Sequence, residues 1–261
     1  MKLSYFIQCL PGLALAAGLG IPAIAAAHFQ ELIPSTDIVT QGGDSRLGMD
    51  LVFTHPMSGG PVMDMGRPLR FGVISPLGRE DLAPALRPVT LDGKRAYKAQ
   101  YRIKRPGDYV FFLVPAPYWE PAEQIMIVHY AKVVVDAYGA GEGWDADVGL
   151  PVEIAPLARP YGLWTGNLFR GVVKKDGKPA AFAEVEVTWR NDGSVKAPSD
   201  PYVTQVVKAD ANGVFAYAMP RAGWWGFAAL LRGDAPMKSP QGTEVPVELG
   251  GLIWVRTRDM K

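Results

Sequence analysis

Apolar and polar residues alternate with a period of two along much of the chain, the spacing that turns one face of an extended strand to a core and the other to water. The clearest case is AYKAQYRIK, residues 96–104, where Tyr97, Ala99, Tyr101 and Ile103 fall on one face and Lys98, Gln100, Arg102 and Lys104 on the other. Strand-length apolar runs also occupy 46–55 (RLGMDLVFTH), 69–75 (LRFGVIS), 108–116 (DYVFFLVPA) and 125–138 (IMIVHYAKVVVDAY). Turn formers separate them, and Pro106–Gly107 before the run at 108 predicts a turn at a sandwich edge. The 23 prolines and 29 glycines scattered among these runs favour strands and turns over helical bundles.

The stretch GLPVEIAPLARPYGLWTGN (149–167), with prolines and glycines around a short apolar piece, predicts a connection between two units. Beyond it come a turn at Asp176-Gly177-Lys178-Pro179, a strand with alternating Val185 and Val187, an Asp-x-Asn-Gly hairpin at 210–213 and the closing run GGLIWVRT. AGWWGF (222–227) reads as core with a glycine-rich bend. The expected fold is all-β: two tandem antiparallel β-sandwich domains of immunoglobulin-like or prealbumin-like type. Residues 28–157 form the first, and 158–261 form a sandwich resembling the carboxypeptidase-regulatory-like kind.

Residues 1–27 read as a signal peptide, with Lys2 near the start, an apolar stretch from Leu10 to Ile24, and Ala25 and Ala27 in the A-x-A positions. Pro11 and Pro22 interrupt a segment that would need roughly 20 continuous apolar residues to span a bilayer, so cleavage after Ala27 into the periplasm is the expectation. The single cysteine, Cys9, lies in this leader behind Gln8, which is not a small residue as a lipoprotein site requires. Residues 28–261 therefore hold no thiol, which excludes disulfides, thiolate metal sites and cysteine nucleophiles. Twenty-seven basic against 26 acidic residues leave no electrostatic footprint for nucleic acid or anionic lipid. No nucleic-acid partner and no stable membrane insertion after cleavage are expected.

The chain has three histidines, His28, His55 and His129. Singly, His129 in an apolar strand reads as a core residue, His55 before Pro56 as a turn residue, and His28 as whatever follows the cleavage site. Together they read differently. Cleavage would make His28 an amino-terminal histidine, whose α-amine and imidazole Nδ1 can grip one cation in a small ring. The amine's ordinary pKa of about 7.7–8.0 leaves only a modest proton penalty. Two further imidazoles would complete a nitrogen-rich set suited to Ni²⁺, Cu²⁺ or Zn²⁺ rather than Ca²⁺ or Mg²⁺. Possible accessory groups are Met57, Met63, Asp64 and Met65 in the loop after His55, whose thioethers suit soft cations, and Glu120 in the loop APYWEPAE, as an orienter of an imidazole. No H-E-x-x-H, G-x-S-x-G, Walker A or dinucleotide fingerprint occurs, and the acidic residues show no catalytic spacing, so an enzyme is not expected.

The phrases AHFQELIPSTDIV, LVFTHPMSGGPVMDM, RPGDYVFFLVPAPYWEPAE, HYAKVVVDAYGAGEGWDADVGLPVEI, RPYGLWTGNLFRGVVKKDGKP and KADANGVFAYAMPRAGWWGFAAL make the chain similar to the additional periplasmic component of nickel energy-coupling-factor transporters, the NikK type. The resemblance runs from His28 to about Thr257. It implies capture or delivery of nickel outside the inner membrane, with the membrane components of a nickel importer as partners. Two other readings are a copper-binding secreted protein, since an amino-terminal His with a second imidazole resembles the copper brace of oxidative enzymes, and a metal-free adhesion or carbohydrate-recognition module.

Overall fold

The computed structural model describes residues 28–261; the expected signal peptide and Cys9 lie outside the described residues. The first half contributes β1 (Phe29–Pro34), β2 (Ile38–Val39), β3 (Arg46–Thr54), β4 (Arg70–Ser75), β5 (Gly78–Asp81), β6 (Arg87–Leu91), β7 (Lys94–Arg102), β8 (Gly107–Val114), β9 (Tyr118–Glu120), β10 (Ile125–Ala137) and β11 (Val152–Pro156). The second half adds β12 (Leu163–Trp164), β13 (Leu168–Lys175), β14 (Lys178–Pro179), β15 (Glu184–Trp189), β16 (Gln205–Lys208), β17 (Val214–Ala218), β18 (Gly223–Arg232), β19 (Met237–Lys238), β20 (Glu244–Val245) and β21 (Val247–Arg258). The fold is an all-β sandwich architecture. Among the described residues, no helix is long and apolar enough to cross a membrane.

A long sheet of order β16-β15-β18-β21-β10-β8-β4-β5 runs through both halves, accompanied by two four-stranded sheets, β1-β3-β7-β6 and one built on β11, β13, β14 and β17. Continuity comes from β10 and β21, which pair in parallel from Met126↔Val247 to Val133↔Trp254. The sequence of β10 suits this central place, because a run apolar on both faces is what a strand covered on both sides requires. Alternate residues enter two cores: Ile127, Ala131, Val133 and Val135 join the core that contains Leu51, Phe53 and Phe111, while Met126, Val128, Tyr130 and Val134 join the one that contains Phe169, Phe215 and Phe227.

Lys132, 1% exposed, points into the second core and donates to Glu153 on β11, Nζ to Oε1 at 2.6 Å. The Glu153 carboxylate also accepts from the backbone N–H groups of Val148, Gly149 and Leu150. This one carboxylate pins the chain where it passes between the halves.

Three local expectations are corrected. The stretch 149–167 is more than a connection, since β11 pairs with β13 and β12 with β21. The turn at 210–213 forms, with Asp210 Oδ1 accepting from Asn212 and Val214, but its flanking strands do not pair with each other. Strand β16 joins β15 in the long sheet and β17 joins β13 in the other, so the turn carries the chain between layers. Pro106–Gly107 does not mark an edge, because β8 lies between β10 and β4; Gly107 is needed there because a Cβ would stand 2.2 Å from Pro76 Cγ.

Candidate functional site

The register joining β1 to β3 sets the first two histidines side by side. Phe29 lies opposite Thr54, so the next pair along the antiparallel ladder is His28 with His55, whose side chains leave the same face. Their ring centroids are 4.6 Å apart. Phe53, two residues before His55, shares that face. Its ring lies 5.6 Å from His28 and, edge-on, 5.9 Å from His129. His129 comes from the β10 face that meets this core and is 2% exposed. Tyr118 on β9 closes the group at 6.1 Å from His28 and 5.1 Å from Phe53. A cavity of ≈ 20 Å³, room for one water-sized occupant, is lined by Gln30, Phe53, Met65, Tyr118 and His129 among others.

Two carboxylates turn toward these rings. Glu120 Oε2 lies 3.1 Å from His28 Nε2, while its Oε1 accepts the Ala122 N–H at 2.9 Å. Glu248 Oε1 lies 2.9 Å from His129 Nε2, and Nδ1 of His129 is buried without a hydrogen-bond partner among the described residues. The parallel register explains the second contact: Ile127↔Glu248 and His129↔Gly250 place Glu248 and Gly250 on the face that His129 occupies. A Cβ at Gly250 would sit 2.4 Å from His129 Cδ2, so the imidazole rests where only glycine leaves room.

The electrostatics favour the neutral forms of His28 and His55. Burial, and then the charge of His28, push His55 down to about 4. Burial also lowers His28, partly opposed by Glu120. An unprotonated ring keeps a lone pair for a cation. Burial works to raise the Glu248 carboxyl, but its hydrogen bond with His129, and the attraction that His129 and His28 exert when protonated, outweigh it, and the net direction is down.

The other accessory candidates are placed variously. Met65 is buried at the cavity wall, its Sδ 3.7 Å from Gln30 Nε2. Met63 is buried in the core that contains Phe53, whereas Met57 packs against the other core. Asp64 turns to Arg95, accepting from its backbone N–H and Nη2, each at 2.9 Å. Glu120, expected in a loop, belongs to β9, which pairs with β10 through Ile125↔Glu120; three residues beside a proline give too short an alternation to show as a strand. As the side chains stand, no group of three or more His, Cys, Asp or Glu among the described residues is arranged to hold a metal ion.

Glu186 on β15 extends the acidic surroundings. Burial first, then the charges of Glu248, Glu123 and Glu184, raise its carboxyl from an ordinary 4.5 to about 7, and its Oε2 is buried without a partner among the described residues. A carboxyl that holds its proton more tightly when folded contributes stability that is complete below about pH 4.5 and lost as pH climbs through 7. Glu186→Gln is therefore expected to be more stable than the wild type at pH 8, by roughly 1–3 kcal/mol, with the difference vanishing near pH 4. Urea unfolding of the metal-free pair across that range checks it, and a constant difference would remove Glu186 as the cause.

The family described as "Domain of unknown function (DUF4198)" matches residues 25–233. The chain belongs to this family. No curated protein matches the DUF4198 chain. Among solved structures, the D0-D1 domain of intimin shares 13% identity over 86% of this chain and 99% of its own, with a TM-score of 0.25. A two fibronectin type-III domain segment from chicken tenascin shares 13% over 88% of this chain and 100% of its own, at 0.23. Scores this low carry no argument about the site.

Proposed function

We propose that the protein is a non-enzymatic periplasmic nickel-binding accessory of an energy-coupling-factor-type uptake system, holding Ni²⁺ as cargo through His28 after cleavage, with His55 and His129. The observation that carries this is the contact of the His28 and His55 rings, 4.6 Å apart just beyond the end of the β1–β3 ladder, with His129 against the same Phe53 ring. The similarity of the chain's phrases to the periplasmic nickel component supports the choice of cargo.

An amino terminus is ordinarily a poor place for a ligand because it is disordered unless tied down. Here β1 is buried along its whole length. Trp254 Nε1 donates to the Gln30 carbonyl at 2.9 Å and Arg190 Nε donates to Glu31 at 3.0 Å. The residue that follows cleavage is thus held at the edge of a core. In the precursor its nitrogen is an amide, so coordination calls for the amine that processing releases, and for the rings to turn toward it.

Titrating Ni²⁺ into processed protein tests the proposal. About one ion per chain is expected, and a processed chain that takes up none would overturn it. Stronger binding of Cu²⁺ would leave it standing, because copper outranks nickel at almost any nitrogen site. Consumption of O₂ by the copper-loaded chain with a reductant would instead favour a copper enzyme.

A further inference from the structure

We propose that Glu120 and Glu248 are positioning residues that fix the tautomers of His28 and His129, so that each ring offers Nδ1, and not Nε2, to the cation. This rests on the metal-binding reading above and adds to it the donor atoms and a residue, Glu248, that lies 119 positions from its histidine in sequence.

The geometry of both pairs has the same sense. An ionised carboxylate only accepts hydrogen bonds. Nε2 of His129, 2.9 Å from Glu248 Oε1, must therefore carry the hydrogen, and so must Nε2 of His28, 3.1 Å from Glu120 Oε2. In a neutral ring the other nitrogen then has a bare lone pair. For His129 that atom is buried and unpartnered among the described residues, in a side chain 2% exposed. A buried nitrogen without a hydrogen bond costs stability unless something binds it. For His28, Nδ1 is also the nitrogen that can close a six-membered ring with its own α-amine around a metal, which Nε2 cannot reach.

The carboxylates are themselves held. Glu120 is fixed by the Ala122 N–H and its strand pairing with Ile125. Glu248 is fixed by the parallel register with Ile127, with Gly250 making space for the ring it grips. A carboxylate behind a metal-bound imidazole orients the ring and raises its basicity, and losing such a partner typically costs roughly 10–100-fold in metal affinity.

The experiment uses processed protein and Ni²⁺, with long-range ¹H–¹⁵N correlation spectra of the metal-free rings. Wild type is expected to show Nδ1 unprotonated and Nε2 protonated in His28 and His129. Glu248→Ala and Glu120→Ala should each weaken Ni²⁺ binding about 10–100-fold and release the tautomer of their own histidine alone. Glu248→Gln, which keeps an acceptor oxygen, should restore most of the affinity and the tautomer, a rescue that a merely structural role would not tie to the ring. Should Glu248→Ala fail to fold, Glu120→Ala and the wild-type spectra still decide. Protonation at Nδ1 in the wild type, or alanine variants that bind as tightly as it does, would overturn the assignment. Rings tautomerised as stated in a chain that binds no Ni²⁺ would instead defeat the metal-binding reading.

Discussion

A chain processed to begin one residue earlier, with a single alanine before His28, is expected to lose Ni²⁺ affinity well beyond the roughly 10–100-fold that follows loss of an outer partner, while melting at the same temperature. The added residue turns the His28 α-amine into an amide, whose nitrogen has no lone pair to give until its proton is displaced, and moves the free amine one residue away. It also removes the six-membered amine–Nδ1 ring on which the proposed site rests. Nothing in the fold objects to the extension, because the precursor already carries a peptide bond at that point and β1 is held by β3, Trp254 and Arg190 through residues 29–34. The comparison therefore changes the chemistry of one nitrogen and leaves the packing alone. Calorimetric titration of the two forms checks it, and equal affinities would mean that the amine plays no part.

The second large effect concerns stability. Glu153→Leu is expected to destabilise the protein by at least about 3–5 kcal/mol, the usual result of removing one member of a buried ion pair. Two losses combine. The Lys132 ammonium, 1% exposed, is left without its carboxylate, and the N–H groups of Val148, Gly149 and Leu150 lose their acceptor. Lys132→Met should cost less, because the remaining carboxylate keeps three backbone donors. Urea unfolding of the three proteins gives the order, and a Lys132→Met variant less stable than Glu153→Leu would show that the backbone contacts contribute little.

Much of the strand map was legible because half-buried strands announce themselves by alternation. Residues 94–102 and 107–114 fall where the patterns at 96–104 and 108–116 put them. The run at 125–137, apolar on both faces but for His129, Lys132 and Asp136, differs for a physical reason: it meets a core on each face. What sequence could not supply was register. That His28 would face His55 depends on how residues 35–45 return the chain from β1 to β3, and no local pattern sets that length. Glu248 and Gly250 were out of reach because their tie to His129 runs through a parallel pairing between strands more than a hundred residues apart. A glutamate two residues before paired glycines in an apolar terminal strand was the one available signal. The turn at 210–213 was recognised by its residues, but identical turn chemistry serves a hairpin and a crossing between layers.

Strand β10 bears the histidine on one side and the lysine that fastens the inter-half segment on the other, and eight consecutive ladder partners on β21 continue it into the distal half. The two halves are therefore joined through a shared sheet and not by a single length of chain alone. A partner holding the distal half would also fix the direction in which the cluster of His28, His55 and His129 faces.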